Sequence, residues 1–194
     1  MEGILLFFFP AGPPVTASKW PILFFMENED KRQEAMELVG KAYQAHMKGK
    51  LDEAIGLYTQ SIELCPTAEA FTYRGWAQSG LKDYEAAIAD CHRAIDLDPE
   101  FGNPYNDIGA YYLEMGLPED AIPWLRMALK AKRYENYCFP HYNLGRIHEG
   151  FGRLEEALVD YRKSLDENPG FGVAAKAIDR VKAKLAALAR KENP

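Results

Sequence analysis

Asp52-Glu53-Ala54-Ile55 returns three times along the chain, as Glu85-Ala86-Ala87-Ile88, Glu119-Asp120-Ala121-Ile122 and Glu155-Glu156-Ala157-Leu158. The alanines Ala54, Ala87, Ala121 and Ala157 stand 33, 34 and 36 residues apart. A small residue lies twelve positions before each (Ala42, Gly75, Gly109 and Gly145), and another seven positions after (Ser61, Ala94, Ala128 and Ser164). Pro66, Pro99 and Pro169 close three of the units, and Arg133 holds that place in the third. A period this long marks a repeat architecture, in which each unit is one supersecondary element that buries its apolar face only by stacking on its neighbours.

Each unit reads as two helices. Gly49-Lys50, Leu81-Lys82-Asp83, Gly116-Leu117 and Gly152-Arg153 are the turns between them. Pro118 falls at a helix start, where its missing N–H costs little. Two antiparallel helices approach closely only where a side chain is small, so Gly75 is expected to meet Ala87. Large apolar residues at helical spacing, such as Ile55, Tyr58 and Ile62, or Ile122, Leu125 and Leu129, fill the space around such contacts. The units run over about 35–67, 68–101, 102–137 and 138–171. Residues 172–194 then read as an amphipathic capping helix and tail, with Ala174, Ile178, Val181, Leu185 and Leu188 on one side and Lys176, Arg180, Lys182, Lys184 and Arg190 facing away.

The period near 34, the small–Ala–small framework and the closing proline resemble the tetratricopeptide repeat family over roughly 35–189. The fold expected is all-α, a right-handed α-solenoid of four helix-turn-helix repeats plus a C-terminal capping helix. Two departures stand out. Pro123 lies inside the second helix of the third unit, where it removes a backbone hydrogen bond and is expected to bend the helix. The junction Tyr134-Glu135-Asn136-Tyr137-Cys138-Phe139-Pro140 carries two extra residues and is expected to open the stack slightly.

Composition fits a soluble module: 47% hydrophobic and 27% charged. The net charge of −6 argues against general nucleic-acid binding. From Gly172 onward six Lys or Arg face two Asp or Glu, which leaves the rest of the chain at −10. A role for this basic last helix against RNA or an anionic membrane is therefore the minor alternative. Cys65, Cys91 and Cys138 are too scattered for a disulfide framework or a zinc site and fit a reducing, cytoplasmic compartment. Residues 1–26 are set apart: the apolar runs Ile4–Phe9 and Trp20–Met26 are each too short to span a membrane, and Pro10, Pro13, Pro14 and Pro21 break them. The segment reads as a disordered leader or a start mis-assigned ahead of Met26, with a cleaved export signal or anchor as the alternative. Being aromatic and extended, it is also a candidate occupant of the chain's own groove.

In an array of this kind the first helix of every unit lines the concave face. The residues expected to be exposed there are Tyr43 and His46 in the first unit, Tyr73 and Trp76 in the second, Asn103, Asn106 and Asp107 in the third, and Tyr142, Asn143 and Arg146 in the fourth, with Val39, Met47, Thr72, Ser79, Leu113, Phe139 and Glu149 beside them. Aromatic rings supply contact area and amides hydrogen-bond a peptide backbone without dictating its sequence. The pattern predicts a non-catalytic module that holds an extended peptide or partner segment. An assembly scaffold working through its convex face or ends is the alternative. The positions at which relatives that clamp acidic chaperone tails carry Lys, Arg and Asn are here Val39, Tyr43, Tyr73, Asn103 and Asp107, which lack the cations a carboxylate needs. Cys138, His141, His148 and Glu149 could share one helix face as metal ligands, but both histidines fall at packing positions, so neither a metal nor another cofactor is expected. No phosphate loop, nucleophile elbow or metalloprotease motif is present in the sequence, so no catalytic residue is assigned.

Overall fold

The computed structural model describes the backbone of residues 20–192 and the side chains of residues 28–190. Nine α-helices are found among the described residues: α1 (Trp20–Met47), α2 (Leu51–Leu64), α3 (Ala68–Gly80), α4 (Tyr84–Leu97), α5 (Asn103–Glu114), α6 (Pro118–Ala128), α7 (Cys138–Gly150), α8 (Leu154–Glu167) and α9 (Gly172–Glu192). They pair as the hairpins α1–α2, α3–α4, α5–α6 and α7–α8, each stacked on the next, with α9 laid against α8. This is the expected solenoid of four hairpins and a final helix. The first helix starts earlier than the repeat pattern implied. It begins at Trp20, with Pro21 in its first turn, so residues 20–26 of the leader run on into the first repeat. Residues 1–19 lie outside the described residues, and with them the reading of the leader as a groove occupant.

The turns within the hairpins share one backbone device. Gly49, Gly116 and Gly152 have φ of 74, 76 and 74°, and Lys82 takes the same left-handed place at 65°. The small residues work as read. A Cβ on Gly75 would lie 2.9 Å from the carbonyl oxygen of Ala87. At Gly109 it would meet the Leu125 side chain at 2.6 Å, and at Gly145 the Tyr161 ring at 2.6 Å. Glycine thus admits a backbone in one hairpin and a large side chain in the other two. Ala54, Ala87, Ala121 and Ala157 are fully buried. In the outer units the downstream small residue also ties the hairpin: Ser61 Oγ donates to the Ala35 carbonyl at 2.8 Å, and Ser164 Oγ to the Cys138 carbonyl at 2.7 Å. Within the second hairpin Arg74 of α3 binds Asp90 of α4 through two bonds of 2.7 Å, and it ties that unit to the first by reaching back to Thr59 of α2 at 3.0 Å.

The third hairpin is the irregular one. Pro123 sits inside α6, an 11-residue helix, and α6 touches α7 less extensively than other second helices touch the units that follow them. The extra residues form a loop, 129–137, and not a longer helix. That loop folds back on the segment after α4. Gly102 N donates to the Arg133 carbonyl at 3.0 Å, and Arg133 N to the Glu100 carbonyl at 2.9 Å. Tyr134 is buried in van der Waals contact with Gly102, where any side chain would collide with its ring. The Arg133 guanidinium binds Glu69 and Asp98 at 2.7 Å each and lies 4.1 Å from the centre of the Phe101 ring.

The last helix needs one correction. Ala174 is buried, and Ile178 and Val181 are buried against α8 with Leu185 partly so, but Leu188 is 49% exposed because α9 is longer than its partner. Arg180 and Lys184 do not simply face water. Both bind Glu149 of α7, at 2.6 and 2.8 Å.

Candidate functional site

The first helices α3, α5 and α7 and the loop 129–137 enclose a cavity of about 360 Å³ lined by Thr72, Tyr73, Trp76, Asn103, Asn106, Asp107, Tyr134, Asn136 and Phe139. A second cavity of about 370 Å³ continues it past Tyr73, Asn103, Tyr134 and Asn136 to Glu69, Phe101 and Arg133. The two form one groove. It is floored by helix residues at the expected register and walled by a loop that has no register.

At the N-terminal end the rings form a chain. Tyr43 lies 5.9 Å from Tyr73 and 6.4 Å from Trp76, centre to centre, and Tyr73 stacks on Tyr58 at 6.0 Å. Tyr43 and Trp76 remain 42% and 40% exposed, so they are open to a partner; Phe139, 40% exposed, stands on the far side of the cavity. His46 was expected beside them in the open. It is buried instead, 4.1 Å from the Trp76 ring, with no hydrogen-bond partner for Nδ1 among the described residues. Burial pushes its imidazole below the ordinary value, so it acts as a neutral platform for Trp76.

The amides divide in a way the register could not show. Asn143 and Asn106, both expected in the open, are buried and face each other, with Asn143 Nδ2 donating to Asn106 Oδ1 at 3.5 Å. Arg146 joins them, donating to Asn143 at 3.4 Å and to Glu114 at 3.0 Å. Tyr142 packs on Tyr161 and Phe171, at 5.5 and 5.4 Å, on the side of α7 turned to α8 and the start of α9. In the fourth unit these side chains are thus spent on neighbours, because each first helix is covered by the units before and after it. The amides that do line the groove without a hydrogen bond among the described residues are Asn103 and Asn136.

Asp107 lies in the same cavity. Its carboxylate accepts a bond from Asn106 Nδ2 at 3.3 Å and pairs with no cation among the described residues. Burial lifts the carboxyl from 3.8 to about 7, against the Asn106 bond, which lowers it. Loop residues Tyr134, Asn136 and Phe101 are the ones helix register missed. The signal for them was present, in the two extra residues of the junction and in Arg133 standing where the other units carry proline. The candidate metal group is otherwise engaged: His148 Nδ1 lies 2.7 Å from Asp160, and Glu149 takes Arg180, Lys184 and the Tyr161 hydroxyl.

Comparison with known proteins agrees with the repeat architecture. Family models described as tetratricopeptide repeat match residues 35–69, 68–101 and 140–171. The irregular third hairpin lies between the matched stretches. Sperm-associated antigen 1 of Mus musculus is 27% identical over 161 residues, 83% of this chain and 13% of that protein. Hsc70-interacting protein 1 of Drosophila melanogaster is 38% identical over 103 residues, 53% of this chain and 27% of that protein. The chain therefore spans only a small part of the length of these relatives. Among solved structures, pilF of Pseudomonas aeruginosa superposes with a TM-score of 0.74 at 17% identity, over 82% of this chain and 71% of that one, a likeness of fold alone. With the repeat period, the glycine contacts and three matched stretches in agreement, the chain belongs to the tetratricopeptide repeat family.

Proposed function

We propose that this chain is a non-catalytic interaction module that holds an extended segment of a partner protein in the groove between α3, α5 and the 129–137 loop. One observation carries the reading: exposed Trp76 and Phe139 share a cavity with Asn103 and Asn136, whose amides have no partner of their own among the described residues. Rings of this kind gain contact area at small entropic cost. Free amides satisfy the donors and acceptors of an extended backbone.

The fly relative's name couples it to Hsc70. For this chain an acidic chaperone tail is a poor fit, since Val39, Tyr43, Tyr73, Asn103 and Asp107 offer no cation and Asp107 brings negative charge. The test is capture of binding partners by the full chain and by its Trp76→Ala and Asn103→Ala variants. Trp76→Ala should cost about 2 kcal/mol, roughly 30-fold in affinity, with helical content by circular dichroism unchanged. Partners that bind both variants as tightly as the parent would sink the groove reading.

That result would favour the second reading, a scaffold working through its edge. Its support is a row of exposed apolar residues at equivalent turn positions: Leu81 before Lys82, Met115 before Gly116 and Phe151 before Gly152.

A further inference from the structure

The charges around the groove are not balanced. Each cation that lines it already has a partner: Lys132 binds Glu100 at 2.9 Å, and Arg133 binds Glu69 and Asp98. Beyond its floor Arg146 is held by Glu114 and Arg74 by Asp90. Two carboxylates lining the joined cavities have no cation among the described residues, Asp107 on the floor and Glu135 on the loop wall. The rings of Tyr73, Trp76 and Phe139 stand in the same cavity as Asp107. An aromatic face and an unpaired carboxylate attract the same kind of group, a positive charge carried on an apolar stem.

Resting on the groove reading above, we infer that the partner segment is basic, and that it places one Lys or Arg side chain among Tyr73, Trp76 and Phe139 with its charge on Asp107. The stem of the side chain covers the rings, and Asn103 and Asn136 take the backbone on either side. Glu135 at the loop wall draws further positive charge to the entrance. Burial raises the carboxyl of Asp107, and no cation among the described residues offsets that rise. The groups that act on or feel it electrostatically are Asn106 and Tyr111 on its own helix, Cys91 from α4 and Tyr134 from the loop, and none is a cation. An incoming ammonium or guanidinium restores its ionised form, so binding releases a proton near neutral pH and tightens as pH rises through about 7.

The experiment is to pan a phage-displayed library of random dodecapeptides on the full chain and to measure enriched sequences as fluorescein-labelled peptides. Enriched peptides should carry Lys or Arg in excess over the input library. Replacing that residue by citrulline or norleucine should weaken binding about tenfold, Asp107→Asn should cost the same, and the two changes together no more than either alone, as a coupled pair requires. Peptides without a basic excess, or a neutral replacement tolerated without loss, would overturn the inference. So would Asp107→Asn binding as tightly as the parent chain. Trp76→Ala separates this failure from that of the groove reading. Peptides of any charge that are released by Trp76→Ala leave the groove in place without its cation preference, and peptides indifferent to Trp76→Ala remove both.

Discussion

Replacing Asp107 with Asn should stabilise the protein by an amount that grows with pH. Asp107 sits on the groove floor with only the Asn106 amide beside it, 3.3 Å away, and no cation among the described residues. Burial raises its carboxyl from 3.8 to about 7. Between those values the unfolded chain has released this proton and the folded chain retains it. The unfolded state then binds fewer protons, so folding stability falls as pH rises from about 4 to about 7 and is level beyond. Moving a carboxyl this far represents about 4 kcal/mol between its protonation states. Asp107 is partly open to water, and screening brings the expected effect nearer 2 kcal/mol. Asn keeps the shape of the side chain and removes the charge. Urea unfolding of both proteins, followed by circular dichroism, should show nearly equal stabilities at about pH 4 and a gap of about 2 kcal/mol in favour of Asp107→Asn at about pH 8. Taking the difference cancels groups that titrate alike in both. A gap that stays flat from acid to alkaline pH, or a variant less stable than the parent at pH 8, would refute the reasoning.

Three further outcomes follow from the packing. Glu149→Gln should loosen α9: Arg180, with Lys184 and Tyr161 behind it, holds the Glu149 carboxyl down at about 2, so its contribution is present above the ordinary value of 4.5 and is lost as pH falls towards 2. Because Arg180 and Lys184 are each half exposed, the loss at neutral pH is expected to be about 1–2 kcal/mol by denaturant unfolding, closing in acid. Gly75→Ala and Gly40→Ala should shift the melting temperature in opposite directions. The first drives a methyl against the Ala87 carbonyl, costing about 1–3 kcal/mol. The second adds one on an open face of α1, gaining about 0.5–1 kcal/mol. Lys82→Gly should gain about 0.5–1 kcal/mol by calorimetry, because it relieves a left-handed residue where the other three hairpins already use glycine.

The sequence by itself determined the hairpins, their number and their turns. A repeat array makes the same local demand at each unit, a small residue where two helices touch, and a local demand leaves its mark at a fixed period. Gly75, Gly109 and Gly145 could be read this way because each answers to a partner in its own hairpin. The start of α1 was less legible, since Pro21 reads as a break and is harmless in a first turn. The groove was legible only in part. Tyr43, Tyr73, Trp76 and Asn103 stand where register put them, but exposure of a first-helix residue depends on what the adjacent units lay over it. Only the tertiary structure decided that Asn143 and Asn106 are turned on each other, that His46 lies under Trp76, and that a loop supplies Tyr134 and Asn136. Those are contacts between units or across an irregular junction, 30 or more residues apart for each of the pairs named here, and no period in the sequence encodes them.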